Sequence, residues 1–316
     1  MKTVEGLNFE STHRDWWSPF FTGLTALAVV IILGFLAVIL TNIIWQGWEA
    51  FSWRFITSNS DQNMFDVNQA GVLPMIIGTA ARVMLMTVFV IPIGVITALY
   101  LTEYAPSQSP ITTIIRSAVN NLAGVPSIVF GLFGLGFFVN FVGGNLDQIF
   151  RPDNPDPYWR NPALIWASLT LAVMTLPVVI VATEETLRAL PPGLREASMA
   201  LGATRLQTVA KVILPQALPG IMTGGILAVS RAGGEVAPIL FTGAAYYMAG
   251  YPNHLTDQFM DLGYHIFILS TQSPNIERTQ SILYATIMTL LMLTFTLNMA
   301  AIFVRARMRA KTRMFH

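Results

Sequence analysis

Six long apolar runs punctuate the chain, and no other feature restricts its fold as strongly. They cover about Phe20–Trp45, Pro74–Leu101, Ser117–Val142, Ala163–Thr183, Pro219–Phe241 and Ser281–Val304. Each is near or above the ~20 residues with which a helix crosses the hydrocarbon core of a bilayer. A helix satisfies its own backbone N–H and C=O groups there, where water cannot. Composition agrees: 53% of the 316 residues are hydrophobic and 11% are charged, against about 25% charged in soluble domains. The expectation is an all-α membrane protein with six transmembrane helices in one membrane domain, residues 20–304. A short N-terminal segment, 1–19, and a basic tail, 305–316, flank it. The first run is too long for the apolar region of a signal peptide and lacks an obvious small-x-small cleavage site, so it reads as a mature helix. Gly and Pro interrupt the third and fifth runs, which leaves their edges the least defined.

Several chemistries are excluded or unsupported. The chain has no cysteine, so disulfides, thiolate metal sites and a cysteine nucleophile are ruled out. His13, His254, His265 and His316 show no metal-ligand spacing, and no Ser/His/Asp arrangement is evident. A net charge of +1 says nothing about nucleic acid, and no basic, aromatic-interleaved patch accompanies it.

Loop charges set the orientation. With the N-terminus inside, the inner segments hold Lys2, Arg14, Arg116, Arg188, Arg195, Arg205, Lys211, Arg305, Arg307, Arg309, Lys311 and Arg313. The outer loops hold only Arg54, Arg151, Arg160 and Arg278. This bias places both termini in the cytoplasm. Trp45, Trp48 and Trp53 then fall at outer headgroup level, the usual place for amphipathic rings. The outer loops Gly143–Pro162 and Gly243–Gln280 are rich in Asn, Asp, Pro and Gly, a composition equally suited to meeting an external partner and to a solvated connector.

Between the fourth and fifth runs, residues 184–218 read as soluble. Pro191 and Pro192 favour the first turn of a helix, where a missing N–H costs nothing. Gly202 suits the left-handed residue that ends it. Thr204 with Gln207 fits a capping box, opening a second short helix expected to stop before Pro215. Two helices of about ten residues cannot span a bilayer and form a helix–turn–helix at the membrane surface.

Glu196-Ala197-Ser198, then Gly202, then Val212-Ile213-Leu214-Pro215 resembles the cytoplasmic EAA loop of ABC-transporter permeases. Glu196, Ala197, Gly202, Leu214 and Pro215 match that pattern at its spacing. Ser198 and Val212 are mild departures. The resemblance implies that this loop, with Thr204 opening its second helix, docks into an ATPase.

Two further stretches resemble one branch of that family, the PstA-type phosphate permeases. One runs from Asn121 to Gly134 in the third run. There Gly131 and Gly134 allow close helix approach, Pro126 bends the path, and Ser127 offers a hydroxyl to an anion. The other is Arg231-Ala232-Gly233-Gly234-Glu235-Val236-Ala237-Pro238-Ile239-Leu240. Ala237-Pro238 favours the PstA type over its PstC-type sister, and Val236 replaces the usual Thr. Leu101-Thr102-Glu103-Tyr104 matches more loosely. A permease for sulfate or molybdate would share the EAA loop but lack these runs. A secondary transporter or a membrane enzyme would not need that loop.

Arg231 falls about twelve residues into its run, some 18 Å deep at ~1.5 Å per residue. At such a depth it belongs on the bundle interior or a water-filled cavity. Glu235, at i+4, is within its reach. Both a structural ion pair and a place on the ion path fit this geometry, and the bidentate fork of Arg favours the path. Arg82 lies nearer the outer end of its run, as an entry residue or a side chain snorkelling to the interface. The resemblance implies partners rather than cofactors in this chain. They are a PstC-type permease, two PstB-type ATPase copies carrying ATP and Mg, and a PstS-type phosphate-binding protein, in a bacterial plasma membrane. No Walker A pattern is present here, so nucleotide belongs to the separate ATPase.

Overall fold

The computed structural model describes residues 17–59, 65–66, 69–106, 109–248 and 250–313. Lys2, His13, Arg14, His316 and most of the segment 1–19 lie outside the described residues, as do the side chains of Arg309, Lys311 and Arg313. The helices in chain order are α1 (Trp17–Gly47), α2 (Trp53–Thr57), α3 (Leu73–Tyr104), α4 (Pro110–Leu122), α5 (Ser127–Phe150) and α6 (Leu164–Ala189). They are followed by α7 (Gly193–Ala200), α8 (Arg205–Gly234), α9 (Ile239–Thr242), α10 (Leu262–Thr271) and α11 (Ile276–Arg313). Among the described residues, helices α1, α3, α5, α6, α8 and α11 are the six long and apolar enough to cross a membrane. Among the described residues the only extended pairing is an isolated bridge between Ala244 and Phe259.

Helix α6 is the hub. Its most apolar stretch is 67% buried, against 6% for α1 and 11% for α11, which lie at the periphery. Met86 and Val90 of α3, Phe130 of α5, Leu171 and Met174 of α6 and Ala228 of α8 meet in the main core. Lipid tails are as apolar as Leu, so helices in a bilayer gain most from close backbone approach. Gly220 and Gly224, one turn apart on α8, supply it against α6. A Cβ at Gly220 would stand 2.1 Å from the Thr186 hydroxyl. The buried hydroxyls of Ser168, Thr170 and Thr175 each donate to the carbonyl four residues back, at 2.7–2.8 Å. No polar atom of these side chains is left stranded in the core.

Two of the expected spans differ from the runs. The third is not one helix: α4 stops at Leu122, and α5 begins only at Ser127. Pro126 lacks an N–H, and its ring disfavours helical geometry at Val125. The turn is closed by Gly124 and Val125 donating to Asn121 and Leu122 carbonyls. The fifth starts earlier and ends earlier than Pro219–Phe241. Pro215 does not end a short helix, because a π turn at Val209–Ile213 carries α8 past it. Leu214 donates five residues back to Val209, and the widened turn accommodates a ring that offers no N–H. At its other end α8 stops at Gly234, and Glu235 is extended (φ −79, ψ 129). Helix α10 lies within the Gly243–Gln280 loop, where no helix was anticipated. Its ten residues are too few to cross.

Candidate functional site

The surface hairpin is built by its caps. Helix α7 ends in a Schellman turn: Gly202 has φ +83, Gly202 N–H donates to Met199 and Ala203 N–H to Ser198. Glycine adopts that φ without a Cβ penalty, and among other residues Asn tolerates it best. Thr204 then caps α8 reciprocally with Gln207, at 2.9 and 3.3 Å. The Ser198 and Thr208 hydroxyls, 2.9 Å apart, tie the two arms together. Glu196, Ala197 and Thr204 face outward, and with them Met199, Leu201 and Leu206, Leu201 being 90% exposed. Leu214 and Pro215 are half-buried, where α8 enters the bundle.

Charged struts fasten this hairpin to the helix ends. Arg195 of α7 grips Glu103 of α3 through Nη2 at 2.7 Å and Nε at 3.1 Å. The same guanidinium donates to the Leu187 and Leu190 carbonyls at the end of α6. Arg116 of α4 donates to the Leu101 carbonyl at 2.7 Å and pairs with Glu184 at 3.3 Å. That carbonyl is free for a reason: Ala105 N–H is taken by Tyr100 in the π turn, and the next residue, Pro106, has no N–H to give. Arg205 stacks over the Tyr104 ring at 5.3 Å, a cation–π contact. Sequence reasoning counted Arg116 and Arg195 as loop charges and missed Glu184 and Glu103 as their respective counterparts. A carboxylate closing an apolar run was the available signal.

The second region is the break that ends α8. Arg231 Nε lies 3.6 Å from Glu235 Oε1, an ion pair rather than a hydrogen bond. Their side chains are 35% and 23% exposed on the surface of this chain. The contact crosses the helix end, since Glu235 is already extended. Helix α5 packs against the break: a Cβ at Gly131 would lie 2.9 Å from the Ala237 carbonyl, and one at Gly134 would meet Thr170 and Thr242. Ser127 opens α5, half-buried. Arg82 is neither an entry residue nor a snorkelling one. It is fully buried, with Nε at 2.5 Å from Asp261 and its two terminal nitrogens on the Ala232 and Gly233 carbonyls. A carboxylate and a helix C-terminus neutralise it in place, so it has no need of water. Sequence reasoning missed Asp261, although Asp directly before an apolar run is a helix-start signal.

Comparison with known proteins adds family membership. Residues 90–309 match the family described as "Binding-protein-dependent transport system inner membrane component". The chain is 31% identical over 291 residues to "Phosphate transport system permease protein PstA 1" of Mycobacterium tuberculosis (strain CDC 1551 / Oshkosh), covering 90% of this chain and 86% of that protein. It is 35% identical over 221 residues to "Probable ABC transporter permease protein YqgI" of Bacillus subtilis (strain 168), covering 70% of this chain and 68% of that one. Among solved structures, a chain of a bacterial alginate ABC transporter in complex with an alginate pentasaccharide-bound periplasmic protein shares the fold. Its TM-score is 0.64 at 14% identity, over 89% of this chain and 92% of that one. With more than half its length inside the family match, the chain belongs to the binding-protein-dependent transport inner membrane components, as a multi-pass permease subunit of an ABC importer whose ATP is hydrolysed by a separate chain.

Proposed function

We propose that this chain is the PstA-type permease subunit of an ATP-driven phosphate importer in the bacterial plasma membrane, with both termini cytoplasmic. The observation that carries this reading is the partly exposed Arg231–Glu235 pair at a helix break within the apolar bundle. A charge there needs a partner or a watery path. Its guanidinium fork suits the oxygens of phosphate, and the neighbouring carboxylate keeps a passing anion from binding too tightly to leave. The Ser127 hydroxyl supplies a neutral donor at the start of α5. A PstC-type subunit completes the path from the other side, and a PstS-type protein delivers phosphate from outside. Two PstB-type ATPase copies, carrying ATP and Mg, seat the hairpin through Glu196, Ala197, Gly202 and Thr204, with Leu214 and Pro215 leading into the bundle. Closure of the ATPases then reaches the helices as rigid-body motion.

Uptake of labelled phosphate by reconstituted complexes tests the path. Arg231→Lys keeps the charge and loses the fork, so transport per complex drops sharply while assembly is retained. Near-normal uptake by both Arg231→Lys and Arg231→Gln would leave Arg231 as scaffold.

A further inference from the structure

We propose that Arg82 and Asp261 are positioning residues that hold the Arg231–Glu235 pair in register across the break in α8. This rests on the reading of Arg231 as a path residue and gives Arg82 a different role from contact with the ion.

The geometry is a buried clamp on three elements. Asp261 caps α10, accepting Gly263 and Tyr264 N–H groups on Oδ1 at 2.9 and 3.2 Å. Its Oδ2 takes Arg82 Nε at 2.5 Å and the Thr79 hydroxyl at 2.9 Å. Thr79 in turn accepts Leu262 N–H at 3.0 Å. The far side of the guanidinium donates to the Ala232 carbonyl at 2.8 Å and the Gly233 carbonyl at 3.2 Å. These are last-turn carbonyls of α8, beyond the reach of i+4 helical donors; Ala232 also accepts the Glu235 N–H at 3.3 Å. Charge alternates along the chain of contacts: the positive end of α10, Asp261, Arg82, the negative end of α8.

The clamp lands on the two residues that follow Arg231 and stand just before Gly234-Glu235. Gly233-Gly234 alone would leave this link loosely defined, because glycine loses the most freedom on ordering. A guanidinium that holds two successive carbonyls defines where the helix stops, and so where Glu235 turns back toward Arg231. The anchor itself has little room to move. A Cβ at Gly78 would be 2.0 Å from the Met260 carbonyl, so α3 and the segment before Asp261 touch backbone to backbone. Arg82 and Asp261 side chains are both 0% exposed, which leaves neither open to an ion.

The test uses the full reconstituted importer and reads labelled phosphate taken up per ATP hydrolysed. Asp261→Asn keeps the α10 cap but removes the anion that holds the fork. Arg82→Lys keeps the charge but cannot hold two carbonyls and a carboxylate together. Each is expected to lower uptake per ATP about tenfold, since a misplacement of about 1 Å can cost a positioned group up to about a hundredfold. Hydrolysis driven by the loaded binding protein continues, and in an Arg231→Gln background neither variant adds a further loss. A directly contacting Arg82 would instead keep or gain transport in Asp261→Asn, which overturns the proposal. Unchanged uptake per ATP in recovered Asp261→Asn and Arg82→Lys complexes also overturns it, as does a loss that multiplies with Arg231→Gln. If Asp261→Asn yields no complex, Thr79→Val, which removes only the hydroxyl bridge, carries the same expectation at about threefold. Normal transport by Arg231→Gln sinks the path reading itself. A defective Arg231→Gln beside a normal Asp261→Asn sinks the clamp alone.

Discussion

The strut between Glu103 and Arg195 is the most direct test of how the hairpin is held. Glu103 is 8% exposed and Arg195 22%, so the pair sits closer to the buried limit than to an exposed surface pair, worth about 0.2–1 kcal/mol. Hydrogen bonds to charged groups contribute about 1.5–3 kcal/mol. The two-pronged contact at 2.7 and 3.1 Å therefore points to a coupling energy of about 2 kcal/mol in a double-mutant cycle. Glu103→Gln keeps the shape and loses the charge. Arg195→Met also strips donors from the Leu187 and Leu190 carbonyls and is the costlier single change, about 3 kcal/mol. At about 1.4 kcal/mol per factor of ten, the coupling energy corresponds to roughly a 30-fold fall in the ratio of attached to detached hairpin. Hydrogen exchange of the amides from 193 to 208, measured in lipid nanodiscs, reads that ratio. Both single variants should exchange faster there, and the double variant should fall well short of their sum, with α6 unchanged. Additive effects, or equal acceleration throughout the bundle, would refute the strut.

Gly202→Leu introduces no clash, since no atom lies within 4 Å of a Cβ there, but it places a side chain at φ +83 at about 1–2 kcal/mol. ATP hydrolysis stimulated by the loaded binding protein should fall with the bundle intact, and Gly202→Asn, which tolerates that φ, should recover most of it. For orientation, a reporter fused after His316 is expected to be protected from reagents outside the cell; labelling from outside would reverse the assignment. Asp257 is held below its ordinary value of 3.8 by backbone N–H groups of His254 and Asn253. Its contribution is therefore present above the unfolded pKa and lost as pH falls through the lower folded value. A spin label at Asn253 should become mobile only as pH falls below 3.8, whereas in Asp257→Asn it should be mobile throughout.

The sequence by itself determined the class of fold and the caps. Six runs near or above twenty residues have one economical solution in a bilayer; the first two long helices end within three residues of their runs, whereas the third and fifth are displaced by seven residues or more at each end. The turn of the hairpin was equally legible, because Gly202, Thr204 and Gln207 act on neighbours within one turn, but the continuation of its second arm past Pro215 was not. Tertiary structure decided where the long helices break and what the buried charges do. Apolar residues continue across Pro126 and past Gly234, so hydropathy carries no mark of either break. The break after Gly234 coincides with a guanidinium arriving from α3, 150 residues away. Arg82 read as a peripheral charge because its partner Asp261 is 179 residues distant in sequence. Local signals act through the backbone of adjacent residues, whereas the cost of a buried charge depends on groups that only packing brings within hydrogen-bond reach.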